Sequence, residues 1–274
     1  MPTHLELIRF RAQGEAKQTP ILLLHGAWHG AWCWLDAFAP TLAERGYHTF
    51  VMSLRGHGNS PGREQINSYR IADYVEDLHD IVIEVEAQTG QKPVVIGHSM
   101  GGFICQKYLE AHSLPGVVLL ATIPREGFLP TLLRLLIRSP LTSLRVGLTR
   151  NSYFFVATPQ AAREKFYSSD FPDDKLQKVW EPLQQESFRS TWEVALTGLP
   201  QPERVKAQNP DMPMLVLGGA DDAIFYVPQI EGTARAYGTE AVIFPDMAHN
   251  MMLERGWESV LDRIADWLTD HAIT

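Results

Sequence analysis

The segment Pro93-Val94-Val95-Ile96-Gly97-His98-Ser99-Met100-Gly101 constrains this chain more than any other. Val94-Val95-Ile96 is a short unbroken apolar run, the pattern of a strand covered on both faces. Helical spacing follows from about Gly102, so the chain must turn from strand to helix within a few residues. Glycines two positions before and two after Ser99 remove side chains that would collide in so tight a bend. The bend lifts the Ser99 hydroxyl off the sheet, and the helix start directs unpaired backbone N–H groups toward whatever that oxygen attacks. Ser99 is therefore a candidate nucleophile, against the plainer expectation of a serine capping an ordinary helix.

The rest of the chain repeats the same alternation. His4–Phe10 alternates polar and apolar residues as a half-exposed edge strand does. Strands are expected over 20–24, 47–54, 117–121, 214–217 and 240–244, those over 20–24 and 117–121 buried. Helices are expected over 31–45, closed by Gly46 and broken or kinked at Pro40, and over 71–89, 227–237 and 257–271. Strand–helix alternation of this kind means a mostly parallel sheet with helices on both faces, and function gathers in the loops at the carboxyl ends of its strands. From about Pro124 to Asn209 the alternation stops and the chain reads as helices and loops.

A length of 274 residues suits one large α/β domain with an inserted subdomain. A net charge of −8 opposes general nucleic-acid binding, which needs a basic face. Cys33 and Cys105 are the only cysteines, too few for a disulfide framework. Met1 to Arg11 lacks the basic-then-apolar plan of an export signal, and no run is apolar enough to cross a bilayer, so a cytoplasmic protein is expected. No zinc-binding, dinucleotide or phosphate-loop motif stands in the right context, so neither metal nor cofactor is expected.

A serine hydroxyl is a weak nucleophile until a base takes its proton. His98 adjoins Ser99, and its ring should diverge from the hydroxyl on a tight turn. His25 and His57 sit in loops after strands, where packing roles are common. His249 lies in the loop Asp246-Met247-Ala248-His249-Asn250 after the last strand, at the sheet edge that carries the serine, and is the expected general base. An acid must orient that base. Asp221 and Asp222 follow the strand 214–217 in the chain order Ser, Asp, His, with Glu126 a distant third. Backbone N–H groups of Met100 and of Ala27, beside Gly26, are the expected oxyanion donors.

These motifs resemble those of the α/β-hydrolase fold family over residues 20–123 and 205–271. His25-Gly26-Ala27-Trp28-His29-Gly30-Ala31-Trp32 is similar to the family's oxyanion loop, above all in its carboxylesterase and methylesterase branch, which includes plant hydroxynitrile lyases. Arg55-Gly56-His57-Gly58-Asn59-Ser60 is similar to the loop after the next strand. The resemblance implies an α/β-hydrolase core over 1–123 and 205–274, and a helical cap over 124–204 inserted after the sixth strand. It aligns Asp222 with the acid, although Tyr226 replaces a common proline. The implied activity is cofactor-free hydrolysis of a small carboxylic ester with an apolar acyl or alcohol group. Lactone, thioester or amide hydrolysis, hydroxynitrile cleavage, perhydrolysis and slow receptor function on the same scaffold remain alternatives. Trp28, Phe103, Phe154 and Met251 are the expected substrate contacts. Arg125, Arg134, Arg138, Arg145 and Arg150 face one nearby acid, Glu126. They read either as cap arginines reaching to water or as an entry surface for an acyl chain, an anion or a membrane.

Overall fold

The computed structural model describes residues 4–273; Met1–Thr3, the start of the alternating N-terminal stretch, and Thr274 lie outside it. Its strands are β1 (Leu7–Phe10), β2 (Ile21–Leu24), β3 (Thr49–Met52), β4 (Val94–His98), β5 (Val117–Leu120), β6 (Met214–Gly219) and β7 (Ala241–Phe244). Its helices are α1 (Phe38–Glu44), α2 (Ile71–Thr89), α3 (Met100–Tyr108), α4 (Leu129–Arg138), α5 (Pro140–Thr149), α6 (Pro159–Phe166), α7 (Asp173–Trp180), α8 (Phe188–Leu196), α9 (Pro202–Gln208), α10 (Val227–Tyr237) and α11 (Trp257–Asp270). The strands form one sheet in the order β1-β3-β2-β4-β5-β6-β7, antiparallel only at the β1 edge.

Period-two alternation divides the core between the two sheet faces. Leu22, Leu24, Val95, Leu119 and Val216 pack with residues of α2, α3 and α10. Ile21, Leu23, Ile96, Leu120 and Leu217 pack with α1 and α11. On α11 the packed face is one apolar stripe of Val260, Leu261, Ile264, Trp267 and Leu268.

Three expectations change in detail. The helical segment α4–α9 lies between the fifth and sixth strands of the chain, one strand earlier than expected. The stretch 31–45 is not one kinked helix. It is a 3-10 turn over Ala31–Trp34 followed by α1, and the break falls before Phe38. Pro40 sits in the first turn of α1, where the missing N–H costs nothing because those donors have no partner inside the helix. Finally, α3 begins at Met100 rather than near Gly102, because Ser99 by itself absorbs the turn.

The strand order also shows where loops converge. The chain places β3 on one side of β2 and β4 on the other, so loops leaving β2 and β4 part in opposite directions and leave a crevice between them. Leu24 pairs with Gly97 in register, which sets the loop beginning at His25 directly beside the turn at Ser99. No helix among the described residues is long and apolar enough to cross a membrane.

Candidate active site

Ser99 adopts φ 52° and ψ −113°, a conformation non-glycine residues rarely hold and one costing about 1–3 kcal/mol. The surroundings enforce it. The Ser99 N–H donates to the Leu120 carbonyl at 2.9 Å, and its carbonyl accepts from Phe103 and Ile123 at 3.2 and 3.1 Å. Close approach explains the glycines here. A side chain on Gly101 would stand 2.7 Å from the carbonyl oxygens of both Leu24 and His25, so only glycine lets α3 start against β2. A side chain on Gly26 would stand 2.9 Å from Ser99 Cβ, so only glycine lets the β2 loop touch the serine turn.

The other side chains arrive from loops far along the sequence. The loop after β7 carries His249, whose Nε2 lies 3.0 Å from Ser99 Oγ. Its Nδ1 lies 2.8 Å from Asp222 Oδ2, after β6. The other Asp222 oxygen accepts from the backbone N–H groups of Ile224 and Phe225 at 2.7 and 3.0 Å, which orients the carboxylate. Asp221 is exposed and makes no contact with His249; its N–H donates to the Met247 carbonyl and ties the two loops together. Ser99, His249 and Asp222 are all buried. Phe166 and Phe225 flank the imidazole at ring separations of 6.0 and 5.4 Å, restricting its rotation.

With an acceptor at Nδ1, the histidine carries its proton there and presents a lone pair to the serine hydroxyl. Ala27 and Met100 line the same chamber. Among the described residues, neither N–H donates to a protein acceptor: Met100 is the first residue of α3, and Ala27 sits in the turn after Gly26. Trp28, next to Ala27, is held at φ 64°.

The chamber is lined chiefly by apolar groups, as small-molecule sites are. Trp28 lines it; the other expected substrate contacts do not. Phe103 is fully buried between α3 and the sheet, because its position on α3 faces the core. Met251 is fully buried in the core on the opposite sheet face. Phe154 lies away from the chamber beneath the Arg145 guanidinium, 3.6 Å from its ring centre. The lining comes instead from Ile123, Ile224 and Phe225 of the core, and Phe128, Phe166 and Val194 of the helical segment.

Several residues around the site were not legible in advance. The His98 ring does turn away from the hydroxyl, and its Nε2 donates to the His249 carbonyl at 3.0 Å, bracing the loop that carries His249. Burial drives the His98 pKa well below 6.5, helped by neighbouring histidines. Glu186, in the loop before α8, also lines the chamber. It accepts from Tyr74 and from the Ser187 N–H, at 3.0 and 2.6 Å, and meets His57 Nε2 at 3.0 Å. His57 Nδ1 faces the Arg55 carbonyl at 3.1 Å. Two residues earlier, the Gln184 N–H donates to the Trp28 carbonyl at 2.9 Å. The segment 184–186 thus fastens the helical segment to both glycine-rich loops. No motif marks it, and Glu186 lies 129 residues from His57.

His29 makes a measurable prediction. Its Nδ1 donates to the Ala27 carbonyl at 2.7 Å and its Nε2 accepts from Asn250 at 3.0 Å, which holds the ring neutral. Burial lowers its pKa from 6.5 to about 4, against the opposing pull of the Ala27 carbonyl. Between these values the unfolded chain binds a proton that the folded protein excludes. Stability is therefore full above about pH 6.5 and falls as pH drops toward 4, by about 3 kcal/mol from this group. His29→Gln is expected to remove about one proton from the slope of unfolding free energy between these limits, measured by urea unfolding across a pH series. An unchanged slope rejects a neutral buried His29.

A sequence profile of the alpha/beta hydrolase family matches residues 21–263. The chain belongs to that family. Among its relatives, norfluorocurarine synthase 1 of a Strychnos species is 36% identical over 92 residues, covering 32% of this chain and 31% of that protein. Methyl jasmonate esterase 1 of Vitis vinifera is 34% identical over 89 residues, 32% of each chain. These matches therefore span about a third of each relative's length. The structure of a thermophilic esterase from Thermogutta terrifontis superposes with a TM-score of 0.72 at 21% identity, covering 97% of this chain and 94% of that one. At that identity the likeness speaks for the fold, and the family's fold carries many chemistries.

Proposed function

We propose that this family member is a cofactor-free serine hydrolase that cleaves a small carboxylic ester through an acyl-enzyme. The observation that carries the reading is the unbroken line from Ser99 Oγ through both nitrogens of His249 to Asp222, with steps of 3.0 and 2.8 Å inside a mostly apolar chamber. Ser99 Oγ attacks the acyl carbon while His249 Nε2 takes its proton. Asp222 keeps the other imidazole proton in place and stabilises the imidazolium that forms. The N–H groups of Ala27 and Met100 receive the negative charge on the tetrahedral oxygen; each such donor is worth about 2.7–4 kcal/mol of barrier. His249 returns the proton to the departing alcohol. Water, activated by the same nitrogen, then attacks the acyl carbon and releases the acid and the free serine.

In this reading residues 124–204 form a helical cap over a core of 1–123 and 205–274. The contribution of Phe128, Phe166 and Val194 to the chamber wall supports it. An apolar acyl or alcohol group suits that wall, and the likeness to methyl jasmonate esterase favours a methyl or similarly small ester.

A fluorophosphonate probe tests the proposal without knowledge of the natural substrate, because it phosphonylates only an activated serine. The expected result is one adduct, located on Ser99 by peptide mass spectrometry and absent after heat denaturation. No adduct on the folded protein overturns the mechanism and favours a receptor without turnover.

A further inference from the structure

The outer face of α4 and α5 is apolar and open to water. On α4, Leu133, Leu136 and Ile137 fall at i, i+3 and i+4; on α5, Leu141, Leu144 and Leu148 fall at i, i+3 and i+7. Each set forms one stripe along its helix. Ile137, Leu141 and Leu148 are 80%, 81% and 79% exposed. The inner faces are already satisfied: Leu132 and Val146 are buried against the protein. The outer stripes therefore do not hold these helices in place. Six large aliphatic side chains within sixteen residues exceed the scattered apolar exposure of an ordinary surface.

Charge narrows the choice of occupant. Residues 125–150 carry Arg125, Arg134, Arg138, Arg145 and Arg150 against the single carboxylate of Glu126, in a chain whose net charge is −8. Among the described residues, none of these arginines forms an ion pair with a carboxylate. Arg138 and Arg150 are exposed at the C-terminal ends of α4 and α5. A second copy of the chain docking face to face would bring these arginines against their own kind. An anionic lipid surface offers hydrocarbon for the stripes and phosphate for the exposed Arg138 and Arg150.

A cavity beneath the same helices adds a reason for docking there. It is walled by Leu132, Leu135, Leu136 and Val146, and it shares Trp28, Phe128 and Thr191 with the chamber around Ser99. Leu136 thus belongs both to the exposed stripe and to a cavity adjoining the site. We propose that α4 and α5 dock this protein on an anionic lipid surface, with the adjoining cavity open to an apolar chain drawn from it.

Co-sedimentation of the protein with vesicles tests the docking independently of ester cleavage. Binding is expected to vesicles of phosphatidylcholine mixed with phosphatidylglycerol, and to be at least about tenfold weaker to phosphatidylcholine alone or in high salt. The triple substitution Ile137→Glu, Leu141→Glu, Leu148→Glu removes only outward side chains, so its thermal unfolding midpoint and its turnover of a water-soluble ester are expected to match wild type. Its binding to the mixed vesicles is expected to fall at least about tenfold. Arg138→Ala is expected to weaken binding to the mixed vesicles alone. Absence of wild-type binding, or equal binding by the triple variant, overturns the proposal. So does a wild-type dimer that the triple variant makes monomeric while neither protein binds vesicles, because the face is then an interface between copies.

Discussion

Ser99→Ala is expected to lower ester turnover by about 10⁶-fold, the scale on which a relay nucleophile contributes when its partners remain in place. The substitution keeps Cβ and therefore the backbone turn, which the Leu120, Phe103 and Ile123 hydrogen bonds enforce. The lost hydroxyl has one side-chain partner, His249 Nε2. Removing it leaves one buried acceptor unpaired, a cost of about 1–3 kcal/mol in stability, far too small to unfold the domain. Activity and fold thus separate. Steady-state hydrolysis of a p-nitrophenyl ester, with circular dichroism as the fold check, makes the measurement. Turnover within tenfold of wild type in a folded variant rejects Ser99 as the nucleophile. Residual hydrolysis above the rate in water is expected from the Ala27 and Met100 donors.

Asp222→Asn is expected to cost about 10⁴-fold in kcat with little change in fold. The reason lies in how the carboxylate is held. One oxygen accepts from the Ile224 and Phe225 N–H groups, and an asparagine carbonyl can keep both bonds. The amide NH₂ must then face His249 Nδ1, where the carboxylate oxygen stood. A donor there requires an unprotonated Nδ1, which moves the histidine proton to Nε2 and turns a base into a donor pointed at Ser99. Asp221→Asn is expected to stay within about twofold of wild type, because that side chain is exposed and touches neither His249 nor Ser99. Equal losses in the two variants refute the assignment of Asp222.

Apolar periodicity and glycine placement made the sheet legible, because each is a local signal. β2, β5 and the Val94–Ile96 start of β4 are continuous apolar runs, and the helices over 71–89, 227–237 and 257–270 carry one-sided stripes close to their expected limits. Pro40 misled because proline is tolerated in the first turn of a helix, where a sequence pattern does not reveal that the turn has just begun. The pocket residues misled for a different reason. Phe103 and Phe154 are aromatic and near the site in sequence or segment, but whether an aromatic ring faces core or chamber depends on the rotation of its helix and on what packs above it. Val194, Ile224 and Phe225 gave no comparable signal, since aliphatic and aromatic side chains line a site and a core alike.

Local sequence alone therefore determined the parallel sheet, the turn at Ser99 and the two aspartates as competing candidates for the acid, because tight turns and buried strands restrict which residues can occupy them. Tertiary structure alone decided that Asp222 meets His249, that His98 braces the histidine loop, and that Glu186 joins the helical segment to His57. Those choices depend on distances between residues far apart in the chain, set by how the loops after β4, β6 and β7 converge over one end of the sheet. The same holds for the stripes on α4 and α5. Their amphipathic pattern is written in the sequence, but which apolar side chains remain in water is settled only once the inner face has found its core.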